Sequence, residues 1–115
     1  MASEKGETQI TYGEFTKVHL KIGKVIHAEC IPGMNKVFKV IVDIGYERRD
    51  LAVGAAPYFS PDQFVGRMVV VCTNLVPRRI GSLTSNGMLL AAEGADGRPA
   101  FLTIVDYAPV GSVVR

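Results

Sequence analysis

The sequence predicts an all-β domain, a small closed barrel of five antiparallel strands with short helices, and three observations carry that expectation. From Val18 onward, apolar and polar residues alternate at period two. Turn chemistry separates the alternating stretches, at Pro32-Gly33-Met34-Asn35 and at Gly45-Tyr46-Glu47. Two further runs, Met68 to Cys72 and Met88 to Ala92, are apolar on both parities, as central strands covered on both faces are.

Residues 1–9 are polar and mixed in charge and have no face to bury, so they read as a mobile tail ahead of a domain spanning 10–115. Thr11-Tyr12-Gly13-Glu14 fits a capping box and predicts one helical turn, packed down by Phe15. The first strand places Val18, Leu20 and Ile22 on one face. Gly23-Lys24 interrupts it as a bulge or bend, and Ile26, Ala28 and Cys30 resume the same parity. A second strand runs from Val37 to Ile44 with Phe38, Val40, Val42 and Ile44 inward, and Arg48 to Val53 pairs with it as a hairpin. Ser60-Pro61-Asp62-Gln63 reads as a helix start, with Pro at the first helical position and Gly66 as the stop. Ala100 to Val105 and Val113-Val114 complete the strand set. Such chains form sandwiches or barrels. A long bent first strand and a short helix between the third and fourth strands point to the Greek-key barrel known as the OB-fold.

Composition narrows the function classes. The 115 residues (12.4 kDa) carry thirteen basic and eleven acidic side chains, a net charge of +2. This falls short of the balance that by itself marks a nucleic-acid binder. No apolar run approaches the ~18 residues of a membrane span, and the first residues lack a signal peptide's apolar region. A cytoplasmic protein is the expectation. Cys30 and Cys72 lie in apolar strand contexts outside any C-x-x-C pair, which predicts reduced, buried thiols.

Catalytic signatures are absent. The chain has no phosphate loop, no G-x-S-x-G and no H-E-x-x-H, so no catalytic residue, metal or cofactor is expected. His19 and His27 would stand about 26 Å apart on a straight strand and read as surface histidines. Asp43, Glu47 and Asp50 read as solvated charge around a hairpin.

One segment asks for more. Thr73 to Gly87 lies between two apolar strands and holds the adjacent Arg78 and Arg79, several hydroxyls and amides, and no acid. As a loop, it offers forked guanidinium donors to an anionic ligand. Lys21, Lys24, Lys36 and Lys39 are supporting cations on the barrel face where OB-folds commonly hold nucleic acid.

From about Ile10 to Arg115 the sequence resembles the tRNA-binding OB domain family. That family is found appended to methionyl-tRNA synthetases as a C-terminal domain or beta subunit, in endothelial-monocyte-activating-polypeptide-like cofactors and in CsaA-type chaperones. The matching stretches are Ile10-Thr11-Tyr12 with Glu14-Phe15, Val18 to Val25, Val40 to Gly45, and Gly54 with Tyr58-Phe59. Most specific are Asn74-Leu75 with Pro77-Arg78-Arg79-Ile80, and Ser85 to Ala92. The chain departs from the family pattern at Val76, Gly81 and Ser82, with two fewer cations in the signature segment, and at Asn35 and Val53.

The resemblance implies a non-catalytic module that recognises tRNA by shape and backbone. It would act in trans beside a methionyl-type aminoacyl-tRNA synthetase, as a homodimer whose extension is the apolar Tyr107 to Val114. Arg78 and Arg79 would contact phosphates, and Asn74, Ser82, Ser85 and Asn86 would hydrogen-bond ribose-phosphate or a base. Lys21 and Lys36 would extend the cationic track, and Met88 would pack beneath the RNA or into the core. The alternative is a CsaA-like export chaperone that binds unfolded polypeptide.

Overall fold

The computed structural model describes residues 7–115. Its first element, α1 (Tyr12–Phe15), has the expected capping box: Glu14 N donates to Thr11 Oγ1 at 3.1 Å and Thr11 N donates to Glu14 Oε1 at 3.0 Å. Contrary to expectation, α1 buries none of its residues and leaves Phe15 40% exposed. The turn is held by its cap, not by packing.

Three long strands follow, β1 (Leu20–Ile31), β2 (Met34–Asp43) and β3 (Arg48–Val53). Then come a 3-10 turn at Pro61–Gln63 and β4 (Met68–Cys72). The rest is short: β5 (Arg78–Ile80), β6 (Leu83–Ser85), β7 (Met88–Leu89), β8 (Ala91–Glu93), a 3-10 turn at Ala95–Gly97, β9 (Pro99–Phe101) and β10 (Val113–Val114). All pairings are antiparallel. The main sheet runs β3-β2-β1-β4-β7, with β10 added to the start of β1. Its two ends meet, because Asn86 N donates to Asp50 O at 2.9 Å and β7 packs against β3. The result is an all-β barrel.

The inward residues of β2 and β3 are those the alternation selects. Phe38, Val40, Val42, Leu51 and Val53 are buried, with Ile44 just beyond β2. Each such side chain contributes ~1.5–3 kcal/mol on leaving water. Phe64, brought in after the Pro61–Gln63 turn, is the hub of an aromatic cluster. Its ring centroid lies 5.9, 5.4 and 5.2 Å from those of Phe38, Phe59 and Phe101. β4 is buried from Val69 to Cys72, as its double-parity pattern predicts.

The bend in β1 differs from the expectation. The register with β2 shifts between Val25 and His27, so Val25 points inward instead of Ile26. Beyond the shift Ala28 and Cys30 keep the expected parity opposite buried Val40 and Phe38, but Cys30, next to the strand's end, is left exposed. Gly23 serves a different purpose from a bulge. A Cβ there would lie 2.5 Å from Val42 Cγ1 and 3.2 Å from Asp43 O, so the residue is glycine because two strands close on it. Gly111, at φ +91, brings the C-terminal segment equally close to the end of β2, where a Cβ would meet Ile44 O at 2.9 Å.

Two further expectations are corrected. Met88 to Ala92 is not one covered strand: it breaks at Leu90 into β7 and β8, and Ala91 and Ala92 are exposed. The strand placed from Ala100 to Val105 ends at Phe101, leaving Val105 fully exposed. Asp43, Glu47 and Asp50 ring the hairpin as solvent-accessible carboxylates, as expected, and touch the Gly45 amide, Arg49 and Lys39 respectively. Of the segment read as a mobile tail, 1–6 lies outside the described residues.

Candidate nucleic-acid interface

The segment expected to be a loop is a β-hairpin. Arg78, Arg79 and Ile80 pair with Ser85, Thr84 and Leu83, and Gly81, at φ +59, turns the chain with Ser82. A two-residue connection containing a positive-φ glycine is what a tight hairpin requires. Leu83 and Ser85 are buried while Thr84 is exposed, so one face of the hairpin lies on the barrel. Alternation then assigns Arg78 and Ile80 to the inner side and Arg79 to the outer side.

Arg78 forms the rim of a cleft walled by Ala52, Val76, Ile80, Gly87 and Met88. Val76 is 87% exposed and Met88 48% exposed, which leaves an apolar wall beside a guanidinium. Arg79 is exposed, and its Nε donates to Gly81 O at 2.9 Å. Among the described residues, neither arginine enters an ion pair. A guanidinium without a carboxylate partner keeps its full capacity for a phosphate.

The hairpin tip approaches the β1–β2 turn. A Cβ on Gly81 would lie 3.1 Å from Met34 Sδ, so Lys36, two residues beyond Met34, belongs to the same end of the molecule as exposed Ser82. Lys21 does not. Its Nζ lies 5.0 Å from the centre of the Tyr46 ring, at the far end of the β1–β2 pair. Lys24 is opposite Asp43, and Asp43 is seven residues, about 23 Å, along β2 from Lys36. Lys39 Nζ lies 3.9 Å from Asp50 Oδ2, so this cation has a carboxylate beside it, and His27 Nε2 lies 3.3 Å from Glu29 Oε1. Of the candidate cations, Arg78, Arg79 and Lys36 lie at the hairpin end of the molecule and Lys21 and Lys24 at the other.

Two residues assigned to RNA contact have their polar atoms engaged elsewhere. Asn74 Oδ1 accepts from His19 N at 2.9 Å while its Nδ2 donates to Lys17 O at 2.6 Å. Ser85, 6% exposed, accepts from Ala52 N at 2.9 Å and donates to Gly87 O at 3.1 Å. Asn86 is half-buried at the hairpin's exit, with its backbone N–H on Asp50. Sequence reasoning missed Arg49. It shares parity with buried Leu51 and Val53, and an arginine on the inward parity of a strand was the available signal.

Among the described residues no group of three or more His, Cys, Asp or Glu side chains lies close enough to hold a metal, and no helix is long and apolar enough to cross a membrane.

The family described as a putative tRNA binding domain matches residues 20–113. The chain belongs to this family. It is 48% identical over 106 residues to a methionine–tRNA ligase of Methanoregula boonei, covering 92% of this chain and 16% of that ligase. It is 38% identical over 107 residues to that of Methanocaldococcus jannaschii, covering 93% and 16%. The chain thus spans about a sixth of the length of these ligases. Among solved structures, a MetRS-related protein from Pyrococcus horikoshii superposes with a TM-score of 0.88 at 33% identity, over 95% of this chain and all of the other. The chaperone CsaA of Bacillus anthracis shares the fold, with a TM-score of 0.84 at 21% identity over 94% of this chain and all of the other. As a member of this family the chain carries a tRNA-binding domain over most of its length.

Proposed function

We propose that this protein is a non-catalytic tRNA-binding module that recognises tRNA by shape and backbone and acts in trans beside a methionyl-type aminoacyl-tRNA synthetase. The observation that carries the reading is the pair of guanidiniums, Arg78 and Arg79, which enter no ion pair among the described residues and stand on a hairpin within the matched tRNA-binding region. Lys36, Ser82 and Asn86 extend the site around the tip and exit of that hairpin, and Met88 offers an apolar edge. Lys21 is a second, distant cation that only a ligand as large as tRNA reaches. Action in trans is supported by the match to a MetRS-related protein covered over its whole length. The cytoplasm is where such a partner works.

The working unit we propose is a homodimer. Tyr12, Phe15, Val18, Leu20, Val113 and Val114 line one groove formed by α1, β1 and β10. Tyr12 is 74% and Val113 56% exposed, an apolar surface of the kind that a second copy covers by two-fold pairing.

Binding of tRNA measured against salt tests the reading. Phosphate contacts release counterions, so affinity falls steeply as salt rises. Apolar capture of unfolded polypeptide does not weaken in this way. Tight binding of unfolded polypeptide, with weak and salt-insensitive binding of tRNA, would replace the tRNA reading by the chaperone one.

A further inference from the structure

We infer that Arg49 is a positioning residue for the hairpin, setting the angle at which Arg78 and Met88 face a ligand. This inference rests on the tRNA-binding reading for its functional consequence. Its structural basis is independent of that reading.

Arg49 leaves β3 on the inward parity, and its side chain is only 12% exposed. Its Nη1 donates to Thr73 O at 2.5 Å and to Asn86 O at 3.4 Å. Thr73 is the last residue before the segment leaves the barrel, and Asn86 is the first after β6. One guanidinium therefore joins both feet of the hairpin. Its Nε is paired with Glu47 Oε2, so the buried charge is compensated and its plane is fixed.

The neighbouring bonds show why this bridge matters. On the exit side the hairpin is held by Asp50 O and by Ser85 Oγ to the Ala52 amide, both on β3. On the entry side it is held by Asn74 to Lys17 and His19, and by Thr73 N donating to His19 O. The two feet meet where β4 pairs with β7, Cys72 opposite Met88, and Arg49 adds a side-chain bridge just beyond that last pair, where the hairpin leaves the barrel. Lysine is a poor substitute, because it carries a point charge where arginine carries a planar fork. The guanidinium is nearly buried and already bonded, so it positions the surface that meets phosphate instead of meeting phosphate itself.

The test compares Arg49→Met with Arg48→Met, which removes the same charge from the exposed neighbour. Three quantities are measured: amide hydrogen exchange across the hairpin, tRNA affinity, and the slope of log K against log salt. Losing a charged bridge of this kind opens the hairpin roughly 10-fold more often, so its amides exchange faster while those of β1, β2 and β4 keep their protection. Affinity for tRNA falls by no more than that factor, since only the opened or misangled fraction is lost to binding, and the salt slope is unchanged because no phosphate contact is removed. Arg48→Met leaves hairpin exchange as in the wild type. If Arg49→Met lowers the salt slope by about one, Arg49 is itself a phosphate ligand and the inference is overturned. Wild-type exchange in the hairpin also overturns it. Should Arg49→Met unfold, Arg49→Lys keeps the charge and loses the fork; faster hairpin exchange at an unchanged slope supports the inference, and wild-type exchange refutes it. A wild type that binds no tRNA, with the exchange contrast intact, would refute the tRNA reading and leave the positioning role standing.

Discussion

Arg78 and Arg79 are adjacent in the chain and face opposite sides of β5, Arg78 toward the cleft beside Met88 and Arg79 outward with its Nε on Gly81 O. Two adjacent arginines on a loop can converge on one phosphate; on a strand they reach two. Replacing both by Ala should weaken tRNA binding by roughly 2–4 kcal/mol, about 1–2 for each charge-assisted contact. The salt slope should flatten by about 1.5–2 units, and each single variant should supply about half of both effects. The melting temperature should hold, because both side chains are exposed. Wild-type affinity and slope in the double variant would remove the hairpin from the site.

Ser85 offers a contrasting measurement. Ser85→Ala strips the acceptor from the Ala52 amide and should cost about 1–3 kcal/mol of stability, read by denaturant titration. The folded fraction should bind tRNA with an unaltered salt slope. Lost affinity at full stability would mean that the hydroxyl serves RNA after all.

The two thiols should separate cleanly in a labelling experiment. Cys30 is exposed and should react with a soluble alkylating reagent at the rate of a free thiol, whereas Cys72, 4% exposed on β4, should react only as fast as the barrel opens. Mass spectrometry of the native protein at early times should find one adduct per chain, on Cys30. Equal labelling of both would show that β4 is not the closed strand described above.

Light scattering at micromolar concentration should report about 25 kDa, twice the 12.4 kDa chain. Phe15→Asp places a charge in the groove on a helix that buries nothing, so it should give a folded particle of one chain mass. A wild type that is monomeric at every concentration would rule out a pairing role for the groove.

Much of the architecture was legible because β2, β3 and β4 obey simple rules. Phe38, Val40 and Val42 alternate inward, and Val69 to Cys72 are apolar throughout and buried throughout. Legibility failed where a local pattern was overruled by a distant partner. The expected parity of β1 holds at Ala28 and Cys30, opposite Val40 and Phe38, but the register shift between Val25 and His27 puts Val25 on the core face in place of Ile26. Ala91 and Ala92 satisfy an apolar pattern while being too small to require a core, and they lie exposed on β8. The hairpin was readable in principle: Gly81-Ser82 sits between Ile80 and Leu83, and a short Gly-containing connection between apolar residues is a hairpin signal. Two adjacent arginines among hydroxyls and amides lack the apolar alternation that marks a strand, so the segment has the composition of a loop. In the candidate site, residue type identified the exposed cations, but no feature of the sequence shows that Asn74 and Ser85 spend their polar groups on the backbone.

The bonds of Asn74 carry a consequence of their own. A carboxamide is a short side chain that both donates and accepts, and here it satisfies one carbonyl and one amide of the same connecting stretch, Lys17 to His19. Val18 and His19 also wall the groove beneath α1. The chain entering the hairpin and the wall of that groove are therefore spliced at a single side chain. Free energy spent on ordering either one is shared with the other, and by reciprocity a ligand that settles the hairpin should tighten association at the groove by the same factor as association tightens the ligand.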